Sequence, residues 1–275
     1  MPGNSINTNY GAMIALQALG AVNSELATVQ RRIATGLKIA GPKDNPAVWA
    51  IAQNMRAESK SLDAVMSSLQ RGQSIVDTAL NAGEAISDIL SQMKEKVLAA
   101  TEAGLTTASK QALNDEYVAL RGQIDRLANS ATFDGVNLVS GGGTDQIRAL
   151  ADSRARSTID VAHVDLSTSG AAVSGTLADL TGVVTASDIA AIDAAIQNVS
   201  AGLSKLGVGG KSLDRHLEFT SELQDTIDAG IGNLVDADLG KESARLMALK
   251  TQQQLAIEAL RIANQTPSLL LQLFR

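Results

Sequence analysis

From Leu62 to Ala100, positions taken alternately three and four apart are Leu62, Val65, Leu69, Gly72, Val76, Ala79, Gly83, Ile86, Leu90, Met93, Val97 and Ala100. Ten of the twelve are apolar in a chain that is 45% apolar overall, so composition alone does not produce the seam. Such spacing lines one face of an α-helix and predicts a coiled-coil-like helix about 58 Å long, at about 1.5 Å per residue. Asp63, Arg71, Asp77, Glu84, Asp88, Lys94 and Lys96 stand off the seam, where water can reach them. Ile189, Ile192, Ile196, Val199, Leu203, Leu206, Gly210, Leu213, Leu217, Thr220, Gln224, Ile227, Ile231 and Leu234 repeat the rule, eleven of fourteen being apolar. A second helix of comparable length can therefore pack along the first. Gly207, Gly209 and Gly210 each cost a helix interior about 1 kcal/mol relative to Ala, so a kink is expected there. After the first helix, Thr101–Thr107 reads as a turn, and a shorter helix follows with Leu113, Tyr117, Leu120, Ile124 and Leu127 on its seam.

The pattern changes between about Phe133 and Ser187, where Asp134-Gly135, Gly141-Gly142-Gly143 and Ser169-Gly170 signal turns. Gln146–Ala151 and Ser157–Leu166 partly alternate, the second being rich in β-branched residues, with Asp152-Ser153-Arg154 between them. A β-hairpin is expected there. Ser167–Ser187, rich in Ser, Thr and Gly, reads as an exposed connection.

Both ends of the chain also read as long helices, with almost no charge. Residues 1–30 carry one charged side chain, Glu25, and residues 251–275 carry three, Glu258, Arg261 and Arg275. Leu16, Leu19, Val22, Leu26, Val29 and Ile33 form a seam at one end, and Leu246, Leu249, Ala256, Leu260 and Ala263 at the other. Asn, Gln, Ser, Thr and Ala fill the opposite faces, where a surface helix would place Lys and Glu. Helices neutral all round expect burial on several sides, and on this chain other copies of itself would provide it. Isolated helices are marginal in water, so the ends are expected to be disordered until neighbours arrive.

Composition narrows the function. Aromatics are only 2% of the chain, so interfaces must be built from Ala, Leu, Ile and Val rather than aromatic anchors. The net charge of −6 and the absence of a basic cluster beyond Arg31-Arg32 argue against nucleic acid. With no cysteine there is no disulfide, thiolate metal site or Cys nucleophile. No apolar run approaches the roughly 20 residues that cross a bilayer, so no membrane insertion is expected. The start, with Arg31 as its first basic residue, does not read as a secretory signal, so export would need a dedicated route.

Single residues carry little chemistry. His163 and His216 lack a third ligand nearby and read as ordinary surface or interface histidines. No Gly-x-Ser-x-Gly elbow presents a nucleophile. Gly207–Gly210 precedes Lys211-Ser212, but neither the leading strand nor the glycine spacing of a phosphate loop is present. Asp236 and Asp238 fit N-capping of the last helix better than a cation site. Trp49 beside a helical seam reads as core. No catalytic residue, cofactor or metal site is expected.

Several motifs, in order, resemble bacterial flagellin, the subunit of the flagellar filament. They are Ser5-Ile-Asn-Thr-Asn9, Gln30-Arg-Arg-Ile-Ala-Thr-Gly-Leu-Lys-Ile39, Lys43-Asp-Asn-Pro-Ala47, Ala131-Thr-Phe-Asp-Gly-Val-Asn-Leu138, Asp236-Ala-Asp-Leu-Gly-Lys-Glu242, Ala263-Asn-Gln265 and Leu270-Leu-Gln-Leu-Phe-Arg275. The resemblance covers roughly residues 1–140 and 190–275, and the middle is short, as in compact alphaproteobacterial flagellins. Gly41-Pro42 and Pro46 depart from the family pattern; their fixed φ should stiffen the link between end helix and core.

The resemblance implies a mainly α fold, a long antiparallel coiled-coil-like helical bundle with a small β-hairpin region and paired N- and C-terminal helices. Residues 1–44 would be the N-terminal helix of an inner-tube domain, 45–235 a helical core with the hairpin around 133–187, and 236–275 the C-terminal inner-tube helix. It implies a secreted, non-enzymatic subunit that self-assembles into the extracellular filament used for motility, through Leu16, Leu19, Leu26, Ile33, Leu246, Leu249, Leu260 and Leu270. Implied partners are other flagellin subunits, hook–filament junction and cap proteins, an export chaperone and the flagellar type III export apparatus. Flagellins often carry O-linked sugar, for which Thr168, Ser169, Ser174, Thr176 and Thr181 are the candidates here. Flagellins detected by the vertebrate innate receptor present a helix segment reading Leu-Gln-Arg-Ile-Arg-Glu-Leu; the matching Leu90-Ser-Gln-Met-Lys-Glu-Lys96 is degenerate, with Gln92 for an arginine, Lys96 for a leucine, and Leu90, Met93 and Glu95 alongside. Two alternatives are a minor hook–filament junction protein, whose middle is usually larger, and a chemoreceptor-type helical hairpin, which needs charged heptads throughout and no β-hairpin.

Overall fold

The computed structural model describes residues 8–174, 179–180, 182 and 184–273, with side chains as far as residue 265. The elements run α1 (Tyr10–Thr35), α2 (Pro46–Ala100), α3 (Thr107–Ser130), β1 (Ile147–Leu150), β2 (Thr158–Val161), α4 (Ala186–Val235) and α5 (Leu239–Leu273). The fold is mainly α with one small antiparallel sheet. Two compact units are present, Glu58–Asp225 and a second joining 1–57 to 226–275. Their boundaries fall inside α2 and α4, which pass from one unit into the other without a break.

In the unit of residues 58–225 all twelve positions of the first seam are buried, the two glycines included. From α4, Ile192, Val199, Leu206 and Leu213 join them in one core, and α3 adds Tyr117, Ile124 and Ala128. Burial pushes the Tyr117 phenol up to about 12. The hairpin pairs Ile147 with Val161 and Leu150 with Thr158, and presents Ile147, Ala149 and Val161 to the core. At its tip the Asp152 carboxylate accepts the N–H groups of Arg154 and Arg156, at 2.6 and 3.1 Å. The Arg156 bond leads in holding that carboxyl below its ordinary range.

Two expectations need correction. The α4 helix is continuous through Gly207, Gly209 and Gly210. At Gly209 a Cβ would stand 2.8 Å from Val161 Cγ1, so this glycine admits the hairpin against α4 rather than breaking the helix. Ser167–Ser187 is not simply an exposed connection either. Ser167, Val173 and Leu180 are buried, and Leu180 N–H donates to buried Asn114 Oδ1 at 2.9 Å. Isolated apolar residues in a Ser/Gly context leave no periodic trace, yet each fills the core.

Candidate self-assembly surface

The second unit brings the two ends of the chain together. Helix α1 stops at Gly36, whose φ of 71° is the left-handed conformation that suits glycine. The link then lies beside the end of α4: Lys38 N–H and Ile39 N–H donate to Val235 O at 2.7 and 3.2 Å, and Ala237 N–H donates back to Gly36 O at 2.8 Å. The Asp44 carboxylate accepts the Ala40 and Gly41 amides, Asn45 Oδ1 accepts Val48 N–H, and Pro46 is the first residue of α2. A proline costs nothing there, because the N–H it lacks has no helical partner. Ile39, Ala52, Ile231 and Val235 form a small core, with Trp49 packed against it. Asp238 caps α5 by accepting Lys241 N–H at 3.0 Å.

So guided, α1 and α5 run antiparallel, and polar rungs fix their register. Asn9 Nδ2 donates to Ala263 O at 2.8 Å while its Oδ1 caps α1 at Ala12 N–H. Gln253 Nε2 donates to Asn23 Oδ1 at 2.7 Å, Arg245 pairs with Glu25, and Arg32 Nη1 meets Glu242 Oε1 at 3.1 Å. Arg32 lies in the last turn of α1 and Glu242 in the first turn of α5, the ends where each charge complements the helix dipole. The pair is largely buried, and Arg32 Nε and Glu242 Oε2 have no hydrogen-bond partner. Removing one member would leave an uncompensated charge, a change costing about 3–5 kcal/mol.

The expected assembly seam mostly faces this intramolecular pairing. Leu19, Leu26, Ile33, Leu246 and Leu260 are half-buried and Leu249 is buried; of the described seam residues named for assembly, only Leu16 is exposed. The Leu270 side chain lies outside the described residues. What stays open to solvent is a second apolar set: Tyr10, Met13, Ile14 and Leu16 on α1, and Leu239, Met247, Leu255, Ile257 and Ile262 on α5. Reading by seam missed all of these but Leu16, because an apolar seam absorbs the periodic signal and what lies beyond it reads as background. Helix α1 has a single buried residue, Val29, at 1% exposure. By length and composition alone it is also long and apolar enough to cross a membrane, where the sequence reading found no apolar run of that length. Its polar residues, Gln17, Asn23, Ser24 and Thr28, break the run without making the helix hydrophilic.

The comparisons decide what kind of chain carries this surface. Residues 6–144 match the model of the bacterial flagellin N-terminal helical region, and residues 189–274 that of the C-terminal helical region. The chain belongs to the bacterial flagellin family. It is 50% identical over 272 residues to flagellin FljK of Caulobacter vibrioides, covering 99% of each chain. It is 35% identical to a flagellin of Brucella melitensis, covering 98% of this chain and 99% of that one. A putative flagellar hook-associated protein from Vibrio parahaemolyticus shares the fold, with a TM-score of 0.58 at 17% identity over 70% of this chain and 100% of that one. Flagellins are structural proteins that polymerise with one another into the filament.

The remaining site expectations fall unevenly. Leu90 and Met93 are fully buried in the helical core, so no partner can reach them; Gln92 and Glu95 are exposed, and Lys96 pairs with Glu116 of α3 at 2.5 Å. Ser169 and Ser174 are exposed. Thr168 is half-buried, its hydroxyl within 2.8 Å of both Asp125 carboxylate oxygens. Thr176 and Thr181 lie outside the described residues. His163 Nε2 lies 3.0 Å from Ser140 O and His216 Nε2 lies 2.6 Å from Ala151 O, so each histidine holds loop backbone.

Proposed function

We propose that this chain is a non-enzymatic structural subunit of the extracellular flagellar filament, and that α1 and α5 stand in the polymer as an antiparallel pair. The observation that carries this reading is the α1–α5 pair itself. Its seam is satisfied within the chain, while Met13, Leu16, Met247, Leu255 and Ile262 stand outward, each at least half exposed. Electron microscopy of the purified protein after salt-induced seeding tests it: long filaments are expected, and a protein that stays monomeric under seeding would overturn it. No observation favours the junction-protein alternative.

The same apolar face would be a liability before export. An export chaperone that covers α5 on the way to the type III apparatus fits its chemistry, and the cap and junction proteins would meet the ends of the assembled polymer. Replacing Leu255, Leu260 and Leu270 together by serine should weaken chaperone binding at least tenfold in calorimetry; unchanged affinity would remove the argument.

On the outer surface, exposed Ser174 becomes the favoured described site for O-linked sugar; exposed Ser169 has its hydroxyl 2.9 Å from that of Ser167, and half-buried Thr168 is the poorest, its hydroxyl held by the Asp125 carboxylate. Peptide mass spectrometry of native filaments should find added hexose-scale mass there, and a wholly unmodified mass would dispose of the idea.

Recognition by the innate receptor should be weak. Gln92 lacks the charge and planar donor fork of arginine, and Lys96 places an ammonium, already paired with Glu116, where a leucine is required. Losing one partner of a desolvated charge pair costs about 2–5 kcal/mol, so activation by the monomer should fall at least roughly a hundredfold, at ~1.4 kcal/mol per decade. A reporter-cell assay decides it, with Gln92→Arg plus Lys96→Leu expected to recover part of the signal.

A further inference from the structure

The chain has six methionines and no cysteine, so with no thiol to react first, thioether sulfur is what a hydroperoxide meets. Met1 lies outside the described residues, and the other five differ widely in access. Met93 is fully buried in the core of residues 58–225, and Met66 is half-buried. Met55 is half-buried as well, packed against the small core of Ile39, Ala52, Ile231 and Val235. Met13 and Met247 are 60% and 71% exposed, and both belong to the outward apolar set of α1 and α5. A solute oxidant therefore reaches first the two sulfurs that stand on the face proposed to assemble. The α1–α5 pair itself is secured elsewhere, by Leu249 at its seam and by rungs such as Asn23–Gln253 and Arg32–Glu242.

We infer that Met13 and Met247 are oxidation sites, with hydrogen peroxide as the oxidant, and that their oxidation renders the free subunit unable to assemble. The thioether sulfur attacks one peroxide oxygen; the O–O bond breaks, an S–O bond forms, and the second oxygen leaves as water. Sulfur gives up two electrons and the peroxide takes them. The product, a sulfoxide, turns a flexible apolar side chain into a polar one. In the free subunit water satisfies the new oxygen, so the α1–α5 pair stands. In the polymer that oxygen would have to shed its water against an apolar surface, so the cost falls on assembly alone. Met13 has exposed Tyr10 and Leu16 three positions to either side, whereas exposed Lys250, three positions from Met247, offers a donor to a sulfoxide there. Met13 therefore carries the larger share. Reduction by a dithiol through methionine sulfoxide reductases returns the thioether and releases water, which makes the change reversible. This control rests on the filament-subunit reading, in which neighbouring copies cover both sulfurs and so protect them.

The test treats full-length monomer with hydrogen peroxide, maps the added oxygen by peptide mass spectrometry, and reads critical concentration for polymerisation by light scattering. Each protein is compared with its own untreated form. Met13 and Met247 should gain one oxygen each at least about tenfold faster than Met93. The critical concentration should then rise about tenfold or more, a step of about 1.4 kcal/mol, with helicity by circular dichroism unchanged. Methionine sulfoxide reductases with dithiothreitol should bring it back, which makes the test on the unaltered sequence. Met13→Leu with Met247→Leu should remove most of the peroxide effect, and preformed filaments should resist oxidation at both positions. Oxidised monomer that polymerises as before would overturn the inference, as would a peroxide effect undiminished in the double variant. Lost helicity would place the damage in folding, and equal reactivity of both positions in filament and monomer would show that assembly does not cover them; either result also overturns it. An untreated parent that does not polymerise at all would instead bring down the filament-subunit assignment, so the two failures are told apart.

Discussion

Deleting residues 1–30 or residues 251–275 abolishes filament formation at any accessible protein concentration and leaves a folded, monomeric helical unit. The expectation follows from how burial is divided between the two units. Residues 58–225 hold a continuous core from α2, α3, α4 and the hairpin, with Leu69, Ile86, Leu90, Met93, Ile124 and Leu206 all fully buried, and no residue of α1 or α5 belongs to it. In contrast α1 buries Val29 alone. Nine large apolar side chains of the pair remain open among the described residues, four on α1 and five on α5. Burying a Leu, Ile or Met side chain fully is worth about 1.5–3 kcal/mol, so covering even half of that set in a polymer contributes on the order of 10 kcal/mol, about seven decades in affinity. Either deletion removes most of one helix of the pair and strips the rungs Asn23–Gln253 and Asn9–Ala263. Sedimentation and electron microscopy read assembly, and circular dichroism reads the retained unit. A truncated chain that polymerises like its parent would show that the ends are not what assembles.

What the sequence made legible, and what it hid, has a common physical cause. A buried helix face written in alternating steps of three and four is a one-dimensional signal, and all twelve positions from Leu62 to Ala100 are buried as that signal requires. The α3 seam, the hairpin between Gln146 and Leu166, and Asp238 as an N-cap were readable for the same reason: each is set by residues close together in the chain. Interactions between distant residues were not. Gly209 weighs against a helix when judged by propensity alone, and only the approach of Val161 explains it. Thr168 has the composition of an exposed acceptor until Asp125, 43 positions earlier, engages its hydroxyl. At the ends the difficulty is different. Both faces of α1 are apolar, so the sequence shows that the helix expects burial without saying which face meets α5 and which meets a neighbour. The polar rungs decide it, and Arg32–Glu242 spans 210 positions.

That distinction has its own expected result. Met247→Glu combined with Leu255→Glu raises the critical concentration for polymerisation at least a hundredfold, while Met247→Leu with Leu255→Met leaves it within about threefold. Both side chains point away from α1, at 71% and 65% exposure, so neither substitution disturbs the seam of Leu246, Leu249 and Leu260 or the Glu25–Arg245 and Arg32–Glu242 pairs. The glutamate variant forfeits about 1.5–3 kcal/mol of apolar burial at each position and asks an apolar interface to accept two unpaired carboxylates, each a further cost of several kcal/mol. The loss therefore exceeds the roughly 2.7 kcal/mol that a hundredfold requires. The Leu and Met exchange conserves apolar volume, and such swaps cost under about 1.5 kcal/mol even in a packed core. Assembly by the glutamate variant at the parent's concentration would mean that the outward face stays wet in the filament. The copies would then have to reach the seam, and that is open only if α1 and α5 separate before they assemble.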